Sequence, residues 1–275
     1  MLLAVPNVCE GRDVAALEAI GAAFGPGLIH SSHDPDHHRA VFTLRGEPGE
    51  LAARVLAGAR EAVARIDLSR HQGAHPRVGA VDVAPIVHLD HEQRGAAVAE
   101  ALILGYHLAD ALDLPVFLYG ALGDGRTRAD LRRGGPEQLQ RRIDSGELAP
   151  HAGPRTLHPT AGAVLVAARP PLAAFNVELA PPATLDAAKA IAAAIRETGA
   201  QGLPGVRALG LQLERQGIVQ VSTNVEDLER TSPGDVVRAV QRLAPVAGAE
   251  LIAPAPRTAF ETFPPNVPLR GAPLL

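Results

Sequence analysis

The order of apolar runs and helical periodicities constrains this chain most, because one order occurs twice. Residues 2–5 form a short apolar run that stops at Pro6-Asn7, as a strand does. Asp13 then stands where a helix cap is needed, ahead of Leu17, Ile20 and Phe24 at three- and four-residue spacing. Gly25-Pro26-Gly27 ends that helix. Leu28-Ile29 begins a second strand and residues 40–44 make a third, with HSSHDPDHHR (30–39) as the loop between them. Residues 49–66 put Leu51, Val55, Leu56, Ala59 and Val63 on one side of a helix, and residues 79–87 follow as a fourth strand. Strand, helix, strand, strand, helix, strand is the split βαβ order of a ferredoxin-like unit.

The order returns toward the C-terminus. Residues 174–179 read as a strand and 184–197 as an Ala-rich helix. Residues 206–213 and 218–224 form a hairpin about Arg215-Gln216-Gly217. Ser232-Pro233 opens a helix running to about Val246, and residues 250–255 close the series. The chain is therefore predicted to be α+β, with two ferredoxin-like (βαββαβ) subdomains at residues 1–172 and 173–275. A helix at about 91–112 and strands at 116–119 and 163–168 are placed to extend the first sheet. Residues 120–162 are rich in Gly, Pro and Arg and read as irregular, a kind of stretch that is functional or disordered in compact chains. The Pro-rich tail after Ala259 is expected to pack loosely.

Composition narrows the function classes. With 275 residues, 47% of them hydrophobic and 20% charged, the chain has material for sizeable cores. Aromatics are 3% and Trp is absent, so Ala, Val, Leu and Ile must fill those cores. A net charge of -4 gives no basic footprint for nucleic acid. Lys189 is the only lysine, and an arginine-rich cation set suits bidentate recognition of carboxylates, although a genome-wide bias produces the same imbalance. The single Cys9 excludes an intrachain disulfide and fits a reducing cytoplasm. The N-terminus MLLAVPNV lacks the charged and apolar regions of a signal peptide. The apolar stretches meet charges or prolines before reaching the length of a membrane span. A cytoplasmic protein with no membrane partner is expected.

The densest chemistry lies in HQGAHPRVGAVDV (71–83). His71 and His75, four apart, would share a helix face and offer two zinc ligands. Gly73, Pro76 and Gly79 break any helix there, no Glu follows the first His, and a third ligand would have to come from Asp82 or a distant His. We expect no metal. A histidine titrates near neutrality, and the glycine-rich flanks let backbone approach a ligand, so His75 is read as a general acid/base. The plainer alternative is a histidine that satisfies nearby backbone. The loop 30–39 crowds four His and two Asp together, either to orient a catalytic imidazole or as a solvated Asp-Pro-Asp turn. Cys9 reads as a small, partly buried thiol. GALGDGR and RRGGPE match neither a phosphate loop nor a dinucleotide fingerprint, so ATP and NAD are not expected.

VPNVCEGR (5–12), DHHRAVFTLRGEP (36–48), HQGAHPRVGAVDVAPIV (71–87), PVFLYG (115–120), LRRGG (131–135), AAFNVEL (173–179) and GIVQVSTNVED (217–227) resemble the formiminotransferase domain family in collinear order. The resemblance implies two ferredoxin-like subdomains with a ligand groove between them. It also implies transfer of a formimino group from N-formimino-L-glutamate to N5 of tetrahydrofolate, in histidine breakdown. His75 falls on the family's catalytic base, with Asp34 or Asp36 as an assisting carboxylate. GPRTLHPTAG (153–162) matches the folate loop, placing Gly153, Pro154, Thr160 and Gly162 at the ligand. Asn7, Arg39, Arg77, Asp82 and Asn176 follow by motif position, with Arg39 or Arg77 on a substrate carboxylate. Tetrahydrofolate is then a co-substrate, no cofactor is tightly bound, and a homodimer is implied. The chain departs from the family in Cys9 for Ser, His38 for Asn, and a folate loop with Arg155 and His158 in place of aromatics. The expected form is the stand-alone one, without the cyclodeaminase domain of fused members, so that a separate enzyme would release ammonia. Three other readings share these residues: ATP-independent formyl transfer from 5-formyltetrahydrofolate to glutamate, a non-catalytic small-molecule-binding protein, and a metal-dependent hydrolase.

Overall fold

Pro6 lacks a backbone donor and splits the first strand into β1 (Leu2–Ala4) and β2 (Asn7–Val8). The computed structural model describes every residue of the chain except Ala74 and divides it into two units, Met1–Pro170 and Pro171–Leu275. In the first unit the strands are followed by α1 (Val14–Ala23), β3 (Leu28–Asp34), β4 (Arg39–Gly46), α2 (Leu51–Arg65), β5 (Val81–His88), α3 (Arg94–Leu112) and β6 (Val116–Leu118). It continues through α4 (Arg128–Arg132), α5 (Gly135–Asp144) and β7 (Val164–Arg169). Asp13 caps α1, accepting the Ala16 N–H at 3.0 Å. β1 and β2 lie between β4 and β5, β3 flanks β4, and all these pairings are antiparallel, which is the ferredoxin-like strand order. β7 and β6 add to β5 as parallel strands, so residues 116–118 and 164–169 extend the sheet as expected.

Alternation along the strands gives this sheet two faces. On β7, Val164 and Val166 join Phe24, Leu51, Ile86 and Leu104 in the core beneath α1, α2 and α3. Leu165 and Ala167 instead join Val83, Phe117, Leu131 and Ile143 beneath α4 and α5. α3 is the one helix among the described residues long and apolar enough to cross a membrane, and here it buries Ala97, Ala101, Leu104 and Leu108 against the sheet. Glu100, on the same helix, is buried and supplies a cap that α2 lacks locally. Its carboxylate accepts the N–H groups of Gly49 at 2.5 Å and Ala52 at 2.6 Å.

The second unit runs β8 (Ala173–Leu179), α6 (Leu185–Ile195), β9 (Val206–Leu213), β10 (Ile218–Val225), α7 (Pro233–Gln241), β11 (Val246–Leu251) and β12 (Leu269–Gly271). Its sheet order β11-β8-β10-β9 is again ferredoxin-like, with β12 parallel on the β11 edge. Phe175, Val177, Ile191, Val221 and Val237 fill its core.

Four expectations need correction. The segment 30–39 is not all loop: β3 continues through Asp34, and the connection is only Pro35–His38. Ser31, Ser32 and His33 pair with Phe42, Val41 and Ala40, and a polar edge strand carries no apolar alternation by which to read it. Residues 120–162 contain α4 and α5. The Thr127 and Asp130 side chains form a capping box there, and Leu131 and Leu139 are fully buried. α7 stops at Gln241, ahead of Pro245, and the last core strand is 246–251 rather than 250–255. The tail is not loose, because β12 pairs with β11 and Phe260 and Val267 are buried.

Candidate active site

Residues 71–73 and 75–78 lie between α2 and β5, with Gly73 against the β3–β4 turn. Glycine is required for that approach. A Cβ on Gly73 would stand 2.6 Å from the His37 carbonyl oxygen and 2.7 Å from His38 Cβ. Arg77 holds the turn together, donating to the carbonyls of Gly73 at 3.2 Å and His71 at 2.7 Å. A Cβ on Gly79 would run into the Ala163 carbonyl.

His75 ends up half-buried with its tautomer determined. Its Nδ1 lies 2.7 Å from the Pro76 carbonyl oxygen, which can only accept, so Nδ1 carries the hydrogen and Nε2 the lone pair. Burial pushes its pKa well below the ordinary histidine value, and the Arg39 and Arg132 guanidiniums push the same way while Asp82 opposes them. The ring is neutral at pH 7. His37 faces it with ring centroids 6.5 Å apart.

Asp82 is fully buried because of a strand irregularity. Asn7 pairs with Val83 and Val8 with Val81, which leaves Asp82 as the extra residue of a β-bulge. Its carboxylate accepts the Val78 N–H at 2.9 Å and Arg39 Nη1 at 2.7 Å, and forms a short ion pair with Arg132 Nη2. Burial alone would raise this carboxyl, but Arg132 and Arg39 outweigh it and hold the group ionised, well below the usual carboxylate range. Arg39 spends its other donors on Asn7 Oδ1, with Nε at 3.1 Å and Nη2 at 2.9 Å. Asn7 in turn donates to the Val5 carbonyl at 2.9 Å.

The β3–β4 turn supplies the histidines. Asp34 accepts the N–H groups of Asp36 at 2.8 Å and His37 at 2.7 Å, and its Oδ1 meets His37 Nδ1 at 3.0 Å. Burial opposes its ionisation, but the His37 bonds lower its pKa below the ordinary value. Asp34 thus orients His37, while the Pro76 carbonyl holds Nδ1 of His75. Asp36 keeps a buried Oδ2 with no partner among the described residues. His38 stacks on His71 with centroids 4.0 Å apart and lies between the Gln72 carbonyl at 2.9 Å and Glu10 Oε1 at 3.1 Å. His71 is buried, bonds the His38 carbonyl at 3.0 Å, and has its pKa lowered to about 4, chiefly by burial and by Arg77. It is structural. Cys9 is also inert, its thiol pushed up to about 12 by burial and by Asp82. Among the described residues no three His, Cys, Asp or Glu side chains converge as metal ligands.

The loop 153–162 divides. Thr160 and Gly162 are drawn to the histidine segment. The Thr160 carbonyl accepts the Leu68 N–H at 2.8 Å, and Gly162 closes a turn with His158 against Val78 and Gly79. Gly153, with φ of +84°, packs instead on the Leu114 carbonyl before β6, with Pro154 next to it. Asn176 is buried on β8 of the second unit. Sequence reasoning missed Arg132. The capping-box spacing Thr127-x-x-Asp130 marks the helix that carries it, but nothing local shows that α4 reaches the Asp82 bulge.

Two ferredoxin-like units, the first widened by parallel strands and bearing a histidine–arginine–aspartate cluster, define an α+β protein of paired ferredoxin-like subdomains. Residues 1–169 match the model for the N-terminal subdomain of the formiminotransferase domain, and residues 174–262 match the model for the formiminotransferase domain. The glutamate formimidoyltransferase of Streptococcus pyogenes serotype M1 is 34% identical over 83% of this chain and 78% of its own length. That of Thermoplasma acidophilum is 33% identical over 82% and 77%. The formimidoyltransferase-cyclodeaminase of Sus scrofa is 36% identical over 93% of this chain and 50% of its own length, so the chain spans about half of such fused relatives. The chain belongs to the formiminotransferase family.

Proposed function

We propose that this protein transfers a formimino group from N-formimino-L-glutamate to N5 of tetrahydrofolate, with His75 moving the proton. The observation that carries the proposal is the His75 ring itself: Nδ1–H committed to the Pro76 carbonyl, Nε2 unprotonated, and a pKa lowered by burial and by two guanidiniums. The relatives' names, glutamate formimidoyltransferase among them, supply the substrate class.

N5 attacks the formimino carbon to give a tetrahedral adduct. Nε2 of His75 takes the N5 proton and returns it to the glutamate nitrogen as the carbon–nitrogen bond to glutamate breaks. Glutamate leaves, and the formimino group stays on N5. A low pKa suits the second half of this relay, because a reluctant imidazolium is a strong acid toward the departing nitrogen, and ionised Asp82 tolerates the brief positive charge. Such proton transfer is typically worth about a hundred- to ten-thousand-fold in rate. The unpaired Asp36 oxygen is a suitable partner for an amidinium-like adduct.

The test is a paired assay on the purified chain. Formiminoglutamate with tetrahydrofolate should give glutamate and 5-formiminotetrahydrofolate. Turnover only of 5-formyltetrahydrofolate with glutamate would make the protein a formyl transferase instead. Binding without turnover in either assay would make it a ligand-binding protein.

A further inference from the structure

Three arginines surround the histidine segment, and counting their donors separates their roles. Arg39 commits Nε and Nη2 to Asn7 and Nη1 to Asp82. Arg77 commits both terminal nitrogens to the carbonyls of its own turn. Arg132 differs. It gives only Nη2 to Asp82, and no acceptor among the described residues reaches its buried Nε. Its side chain is 11% exposed, so the guanidinium is nearly but not wholly enclosed. One carboxylate, Asp82, is shared between two buried guanidiniums, leaving the triad with one positive charge in excess. An uncompensated buried charge and an orphaned buried donor are both costly unless a partner arrives. An anion with two coplanar oxygens meets both needs, because the guanidinium edge presents parallel donors at carboxylate spacing.

We infer that Arg132 is the substrate-carboxylate residue of this site, taking a carboxylate of the amino-acid substrate on the guanidinium donors it does not spend on Asp82. Arg39 and Arg77, the residues expected to do this, are positioning residues: one holds Asp82, the other shapes the His75 turn. The inference rests on the proposed transfer reaction only for the identity of the amino acid. The carboxylate subsite follows from the donors themselves.

Two variants of the full chain test it. Arg132→Lys keeps a cation for Asp82 and loses the fork, and Arg132→Gln loses both charge and fork. Calorimetric titration with L-glutamate reads the subsite without turnover, and steady-state assays read the two substrates separately. Both variants should weaken L-glutamate binding and raise the formiminoglutamate KM by about tenfold or more, the loss expected for a bidentate charged contact. The tetrahydrofolate KM and the thermal midpoint of Arg132→Lys should stay close to wild type. Unchanged L-glutamate affinity in both variants overturns the inference, as does a wild-type chain that does not bind L-glutamate. A loss seen with tetrahydrofolate but not with a tail-less tetrahydropterin overturns it in favour of the folate's own glutamyl carboxylates. Should the transfer assay fail while L-glutamate binding is present and Arg132-dependent, the subsite stands and only the proposed reaction falls.

Discussion

Asp82 shows how much one side chain decides here. Its carboxylate is shared between Arg39 and Arg132, and the bulge that turns it toward them also places the Val78 N–H on its second oxygen. Asp82→Asn leaves two buried guanidiniums without a counter-ion and should cost about 3–5 kcal/mol, measured by urea unfolding. His71 makes a pH prediction with a definite sign. Its ring takes a proton near pH 6.5 in the unfolded chain but only near pH 4 in the folded one. The unfolded state therefore binds more protons between those values, and stability falls as pH drops through that window. The loss should reach about 2 kcal/mol by pH 4.5, where the folded ring is still mostly unprotonated. Unfolding curves at pH 7, 5.5 and 4.5 should show this slope, and His71→Asn should reduce it, leaving the part that His75 contributes. Of these residues, His75 was legible as a candidate, because a run such as HQGAHPR is rare and chemically specific. The partners of Asp82 were not, because a bulge and a distant short helix leave no mark on local spacing.

Among the elements, periodicity exposed the helices with one apolar stripe and hid those set by long-range contacts. α2 was legible from Leu51, Val55 and Ala59, yet its cap comes from Glu100, nearly fifty residues away, which no local motif announces. Glu100→Ala should strip two N–H groups of their acceptor and cost about 1–3 kcal/mol in denaturant unfolding without changing the substrate KM values. β3 runs further than its apolar start predicts because Ser31, Ser32 and His33 lie on an edge strand, where backbone pairing with β4 rather than side-chain burial makes the strand. The turn it leads into must accept Gly73 at close range. Gly73→Ala should push the His71–His75 segment off that turn, lowering turnover by about tenfold or more for a misplacement on the order of 1 Å. Steady-state kinetics beside a circular dichroism spectrum would check it.

At the scale of the whole chain, the repeated strand–helix order made the architecture readable, since each βαββαβ run specifies one four-stranded sheet. What it left out was added around those sheets: α4 and α5 beneath the first, held by burial, and β12 beside the second, held by pairing with β11. Because the second unit has its own apolar core, residues 171–275 expressed alone should give a cooperative thermal transition. Removing residues 264–275 from that fragment should lower or abolish the transition, because it takes away β12 and Val267. His75, Asp82, Arg39 and Arg132 all belong to the first unit, so proton transfer is assigned to residues 1–170 and the fragment 171–275 should not catalyse.

The most direct measurement is single-turnover formimino transfer by the full chain with His75 and with His75→Gln. The account predicts a rate lower by about a hundred- to ten-thousand-fold in the variant, with tetrahydrofolate affinity and thermal midpoint unchanged. A His75→Gln chain that transfers the group within about threefold of the wild-type rate would contradict it, since other acid–base residues would then be moving the proton.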